Sequence, residues 1–118
     1  KRGMNDALKR AESYSKAGAD LILIHSKSKK PDEILKFAKK FKKSKYFIPL
    51  IAVPSSYSII KEDRLQKAGF SMVIYANQLL RASIITIEST LKSILKNSRS
   101  YEIEKNIMPI KKILNIIP

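Results

Sequence analysis

The sequence predicts an α/β fold in which short parallel strands alternate with helices. Three apolar segments, roughly residues 20–25, 47–53 and 71–75, read as strands, and helical patterns lie between them. Their repeat of about 25 residues suits the crossover that joins neighbouring parallel strands, so we expect three parallel strands adjacent in chain order. The first segment is apolar at every position, which is typical of a strand buried on both faces.

Capping residues and stops define the first three helices. We expect the first helix to begin at Asn5, as its N-cap, and to end at Gly18. Pro31 opens the second helix. A third, shorter helix covers about 60–68 and ends at Gly69.

The C-terminal third is predicted to be helical. A long helix runs over about 77–96, and a weaker one over about 102–116 is interrupted by Pro109. We interpret residues 1–118 as a single partial domain whose last part, 99–118, is a helical tail.

Composition excludes several classes of protein. The chain has 118 residues, a net charge of +14 and no cysteine, so it has neither disulfides nor thiolate metal sites. No apolar run approaches the roughly 20 residues of a membrane span, and no signal peptide is visible; we expect a cytoplasmic protein without a membrane partner. Lysines such as those in 39–43 read as the solvated face of a helix, and the sequence has no nucleic-acid-binding motif. We therefore do not expect a nucleic-acid partner.

Polar side chains follow each predicted strand. His25, the only histidine, and Ser26 end the first strand, Ser55 follows the second and Asn77 follows the third. Parallel α/β folds bind ligands at the carboxyl ends of their strands. Each residue also has a structural alternative: His25 ending the strand by hydrogen bonding, Ser26 and Ser55 forming turns, and Asn77 capping a helix.

Acidic residues do not form a metal site in this sequence. Asp20 begins a strand, at the end opposite to the polar side chains. Asp32, Glu33, Glu62 and Asp63 lie in first turns of helices, where the helix dipole accounts for them. We predict no metal ligand within the chain.

Several of these segments resemble a known family. Residues 24–27 with 31–34, residues 49–55 and residues 69–82 resemble strands six, seven and eight, with their helices, of phosphoenolpyruvate mutase in the isocitrate lyase superfamily. The lyase branch tends to carry glutamate where His25 stands, which favours the mutase branch. The resemblance implies the C-terminal portion, about three βα units, of a TIM-type (β/α)₈ barrel.

The resemblance also implies a function. It implies an enzyme that interconverts phosphoenolpyruvate and phosphonopyruvate, forming a C–P bond in phosphonate biosynthesis, with Mg²⁺ held by residues upstream of this chain. His25 would be catalytic and bind the small anionic substrate, together with Ser26, Ser55 and Asn77. Alternatives are a phosphonopyruvate hydrolase, another superfamily member, or a non-catalytic half-barrel remnant or interaction module. We expect the chain to be a fragment that is inactive and poorly stable alone.

The long helix is expected to contact another subunit. Its apolar stripe is longer than the neighbouring strand can cover and consists of Leu80, Ile84, Ile87, Leu91, Ile94 and Leu95. The resemblance implies a homo-oligomer in which subunits exchange their last helix. The alternative is that residues 103–117 fold back over the stripe.

Overall fold

The computed structural model describes residues 3–116 and contains two compact units. The first unit extends to Ala76 and the second begins at Asn77. The expectation of a single partial domain, with a tail over 99–118, stays a prediction.

A parallel sheet organises the first unit. Its strands are β1 (Ile22–Ile24), β2 (Leu50–Ala52) and β3 (Phe70–Val73), in the order β1-β2-β3. The register pairs Ile24 with Ala52 and Ala52 with Val73. The predicted parallel direction and chain order are confirmed.

Three helices alternate with these strands. They are α1 (Gly3–Lys16), α2 (Asp32–Phe41) and α3 (Glu62–Ala68). Helix α2 contacts both α1 and α3. Gly69 ends α3 with a φ of +103°, a left-handed conformation that glycine adopts without strain, as predicted.

The core of the first unit lies between this helical layer and one face of the sheet. Its fully buried side chains include Phe37 and Phe41 of α2, whose ring centroids are 5.6 Å apart, and Leu50 of β2. Burial of these aromatic and aliphatic groups is the main stabilising term for the unit.

Within the described part of the first unit, no helix covers the other face of the sheet, so the prediction that β1 is buried on both faces is wrong. Ile22 is buried, but Leu23 is 52% exposed, and Met72 of β3 is 46% exposed. Helices α1, α2 and α3 all pack against the opposite face of the sheet. In a closed barrel the open face would be the interior, which side chains of other strands fill.

Several predicted boundaries also need correction. Asn5 is not an N-cap, because α1 already includes Gly3. The strands are shorter than predicted, since ladder pairing is confined to three or four residues each. The helix predicted over 102–116 is replaced by a 3₁₀ turn, Glu104–Asn106, and a short helix, because Pro109 cannot continue a helix.

The second unit consists mainly of one long helix. Helix α4 (Gln78–Asn97) is followed by the 3₁₀ turn and by α5 (Ile110–Leu114). None of the side chains of α4 is buried. Among the helices within residues 3–116, none combines the length and apolar character that crossing a bilayer requires.

Candidate active-site edge

His25 lies at the carboxyl end of β1. It directly follows Ile24, which pairs with Ala52, so the backbone that carries the imidazole is continuous with the sheet. The side chain is exposed. An imidazole in this position can donate a hydrogen bond to an anionic oxygen or accept a proton.

Tyr57 packs beside this imidazole. The two ring centroids are 5.9 Å apart and the rings are tilted by 41°. Tyr57 is fully buried and its hydroxyl has no hydrogen-bond partner in the described chain. Burial raises the pKa of the Tyr57 phenol. The nearby Val53 backbone lowers this pKa by a smaller amount, although no hydrogen bond of normal geometry joins it to the Tyr57 hydroxyl. One side of His25 is therefore held against a rigid aromatic surface.

Ser26 is buried, but its hydroxyl is already bonded. Its Oγ donates to Oε2 of Glu33 and accepts from the N–H of Ser28 at 3.0 Å. The loop-forming role that the sequence left open for Ser26 is present. The proposal that Ser26 binds substrate is not tested by this arrangement.

Ser55 and Asn77 have polar atoms without partners. Ser55 follows β2 at the same edge as His25, and its Oγ is buried and unbonded within residues 3–116. Asn77 precedes α4, where its side chain makes no capping hydrogen bond, and its Oδ1 is also buried and unbonded in the described chain. Because Asn77 belongs to the second unit, its place in the site stays a prediction.

The described residues do not enclose this edge as a pocket. One surface groove runs along α3 and β3 and is lined by Glu62, Gln66, Gly69 and Met72, away from His25. No group of three or more histidine or acidic residues within 3–116 is arranged to hold a metal ion. Within residues 3–116, this edge therefore presents polar side chains without a cluster of metal ligands beside them.

Two contacts escaped the sequence interpretation. Glu33 was explained by the dipole of α2, but its carboxylate accepts the Ser26 proton seven residues earlier. The sequence analysis does not single out Tyr57, although a large aromatic residue two positions after Ser55 is a signal for packing against the strand ends.

Comparison with known proteins shows the family of this chain. A family model described as phosphoenolpyruvate phosphomutase matches residues 1–95. The chain is 38% identical over 114 residues to a phosphoenolpyruvate phosphomutase of Tetrahymena pyriformis, covering 97% of this chain and 37% of that protein. It is 34% identical over 117 residues to a phosphonopyruvate hydrolase of a Variovorax species, covering 97% of this chain and 39% of that protein.

Solved structures agree with the sequence relatives. A phosphoenolpyruvate phosphomutase structure from Streptomyces platensis superposes with a TM-score of 0.88 at 38% identity, over 95% of this chain and 38% of that chain. The fold class is thereby confirmed as α/β, the C-terminal portion of a TIM-type barrel. The chain thus spans about two fifths of the length of the proteins it matches, and it belongs to the phosphoenolpyruvate phosphomutase family.

Proposed function

We propose that the chain is part of an enzyme that interconverts phosphoenolpyruvate and phosphonopyruvate. The observation that carries this proposal is the exposed His25 at the carboxyl end of β1, in a chain similar to phosphoenolpyruvate phosphomutases over 97% of its length. The reaction moves one phosphorus within a single molecule: a C–P bond and an O–P bond are exchanged, and no water is consumed.

His25 acts on the anionic oxygens of the substrate. A transferring phosphoryl group has metaphosphate-like character, so the protein contributes mainly position and electrostatic stabilisation. The His25 imidazole donates a hydrogen bond to a carboxylate or phosphoryl oxygen. Ser55 and Asn77 are the further substrate-binding groups, which their unbonded oxygens support. Ser26, the remaining group predicted to bind substrate, donates its hydroxyl proton to Glu33.

Mg²⁺ is part of the proposal but not of this chain. A solved phosphonopyruvate hydrolase, 32% identical to this chain, is in complex with oxalate and Mg²⁺. The residues described here do not fit a metal site. The ion would be held by residues of the natural protein outside these 118, where it would neutralise substrate charge.

Assembly and location complete the proposal. The uncovered stripe of α4 supports a homo-oligomer with an exchanged C-terminal helix. We also propose a role in phosphonate biosynthesis. We propose a cytoplasmic location as well, and fractionation of cells that express the protein would test that location.

A phosphonopyruvate hydrolase is the second candidate, because a hydrolase relative is 34% identical over nearly the same span. The test uses the longest natural chain that carries these residues, called the full-length enzyme below. It is incubated with phosphonopyruvate and Mg²⁺ and followed by phosphorus NMR. The mutase produces phosphoenolpyruvate; the hydrolase produces pyruvate and inorganic phosphate. If neither product forms, both candidates are wrong.

Variants connect the turnover to this edge. His25→Ala should lower kcat by about 100-fold, the usual scale for loss of a group that stabilises transition-state charge. Lys29→Ala, an exposed change in the same loop, is the matched control and should stay within about twofold of the parent enzyme. We expect the isolated 118-residue chain to be inactive, and turnover by it would contradict the need for residues outside it.

A further inference from the structure

The loop after His25 is held by a short series of hydrogen bonds. Oγ of the buried Ser26 donates to the Glu33 carboxylate and accepts from the Ser28 N–H at 3.0 Å. Oγ of Ser28 in turn accepts from the Lys30 N–H at 3.1 Å. These bonds connect the end of β1 to the first turn of α2.

The direction of these bonds limits what Ser26 can do. A hydroxyl has a single proton, and in Ser26 that proton is directed to Glu33. Ser26 therefore has no donor left for a substrate oxygen. A charge-assisted bond to a carboxylate is also stronger than a bond between neutral groups, so Glu33 fixes Ser26 more firmly than a turn alone would.

His25 lies between two fixed residues. On its N-terminal side, Ile24 is paired in the sheet with Ala52. On its C-terminal side, Ser26 is anchored to Glu33 and Ser28. A displacement of the loop would move the imidazole, and small misplacements of a catalytic group can cost about 100-fold in rate.

We propose that Glu33 is a positioning residue that acts on His25 through Ser26. Glu33 does not touch the substrate; its carboxylate holds the Ser26 hydroxyl and thereby the backbone that carries the imidazole. The proposal rests on the proposed function of His25. It assigns Ser26 to this support instead of to substrate binding.

Asp32 provides a matched control for the helix dipole. It is exposed and lies beside Glu33 in the first turn of α2, with the same favourable position for a negative charge. Its side chain makes no hydrogen bond within residues 3–116, so Asp32→Ala removes the charge without releasing the loop. An effect at Glu33 that is absent at Asp32 comes from the bond to Ser26.

Kinetics of the full-length enzyme test the proposal. Glu33→Ala should lower kcat at least about tenfold with little change in KM, because a misplaced His25 weakens transition-state stabilisation. Glu33→Gln, whose amide oxygen still accepts the Ser26 proton, should stay within about threefold of the parent, and Asp32→Ala within about twofold. The double variant Glu33→Ala/Ser26→Ala should be no slower than the slower single variant, because each change already removes the Ser26–Glu33 bond.

Three kinetic results would overturn it. They are a Glu33→Ala enzyme within about twofold of the parent, a double variant whose loss is the product of the single losses, or a Ser26→Ala loss far larger than that of Glu33→Ala. The last result would mean that Ser26 binds substrate directly.

Amide hydrogen exchange separates this proposal from the proposed function. In the same full-length protein, Glu33→Ala should speed exchange of the Ser28 amide at least about tenfold relative to Asp32→Ala, because the acceptor of that amide is released. Unchanged Ser28 exchange would overturn the positioning role, whatever the activity. An absence of turnover in the parent enzyme, with faster Ser28 exchange in the variant, would instead overturn the proposed function and leave the loop support standing.

Discussion

The two units use their apolar residues in opposite ways. In the first unit, Phe37, Phe41 and Leu50 are at most 1% exposed. In the second, Leu79 is 82% exposed and Ile87 is 59% exposed, and α4 has no buried side chain. The first unit has a core of its own, whereas the second presents apolar surface of the kind that marks an interface.

This contrast separates a segment that has a buried core from one whose apolar side chains are exposed. Burial of apolar area is the main driving force for folding, and the first unit obtains it between its helices and one sheet face. In the second unit the corresponding gain requires a covering surface. The region 103–116 does not supply it, because the α4 side chains remain exposed with that region present, and the alternative that it covers the stripe is not supported.

The largest expected effect comes from opening the core of the first unit. Phe41→Ala should destabilise the full-length enzyme by about 3–5 kcal/mol, because the ring packs against Phe37 and Phe47 and is fully buried. The matched change in the second unit is Leu95→Ala, whose side chain is 79% exposed here. Urea unfolding measures both. Equal losses at Phe41 and Leu95 in a monomeric sample would remove the contrast between the units.

The next effect tests the stripe of α4 as an interface. Ile87→Asp/Leu91→Asp should raise the dissociation constant of the oligomer by at least about 100-fold, since two buried aliphatic contacts contribute about 1.5–3 kcal/mol each. Thr86→Asp/Ser89→Asp adds the same charge away from the stripe and should leave assembly unchanged. Sedimentation velocity reports the oligomeric state. If both pairs assemble like the parent with the fold intact, the exchanged-helix proposal is wrong.

Sequence patterns predicted the first unit more fully than the site. Strand order and direction followed from apolar runs at regular spacing, and the Gly69 stop followed from glycine's left-handed freedom. The uncovered sheet face was missed because an apolar run has the same sequence pattern in two folds. In one, helices cover both faces of the sheet; in the other, one face lines the interior of a barrel. The Ser26–Glu33 bond was missed because loop geometry, not sequence spacing, brings these groups together.

A comparison within the first unit concerns two buried hydroxyl groups. The Ser26 hydroxyl is hydrogen-bonded, whereas the Tyr57 hydroxyl has no partner within residues 3–116. Ser26→Ala should cost about 1 kcal/mol or more, because it leaves the Ser28 N–H without its acceptor. Tyr57→Phe should be neutral or stabilise by up to about 1 kcal/mol, because it removes an unbonded polar group. A loss of several kcal/mol in Tyr57→Phe would mean that its hydroxyl has a partner in the full-length enzyme.

The pH dependence provides a second check on Tyr57. Burial raises the pKa of this phenol above its ordinary value of 10.0, so the unfolded chain releases the proton first. The associated stability is present below about pH 10 and is lost as the pH rises further. The free energy of unfolding of the full-length enzyme at pH 8 and at pH 11 measures this loss. The stability of Tyr57→Phe relative to the parent should be greater at pH 11 than at pH 8. An advantage that shrinks would contradict burial as the cause.

The smallest effect belongs to an exposed ion pair of the second unit. Nε and Nη2 of Arg99 lie 2.8 Å and 2.5 Å from Oε1 of Glu102, and this pairing lowers the pKa of the Glu102 carboxyl. A lowered pKa gives stability that is present above the ordinary carboxyl range and is lost as the pH falls through the folded-state value. Glu102→Gln should therefore lower the Tm slightly at pH 7, by less than Ser26→Ala does, and this difference should shrink as the pH falls below the ordinary carboxyl range.

Salt and a second pair make that measurement decisive. The Arg99 side chain is 66% exposed, so added salt should shrink the pH 7 difference as screening increases. Glu88→Gln, which breaks the exposed pair with Lys92 inside α4, is the control for losing one surface ion pair. A Glu102→Gln difference that persists at acid pH and high salt would show that packing, not charge, holds this segment. The second unit would then resemble the first more closely than the exposure of α4 indicates.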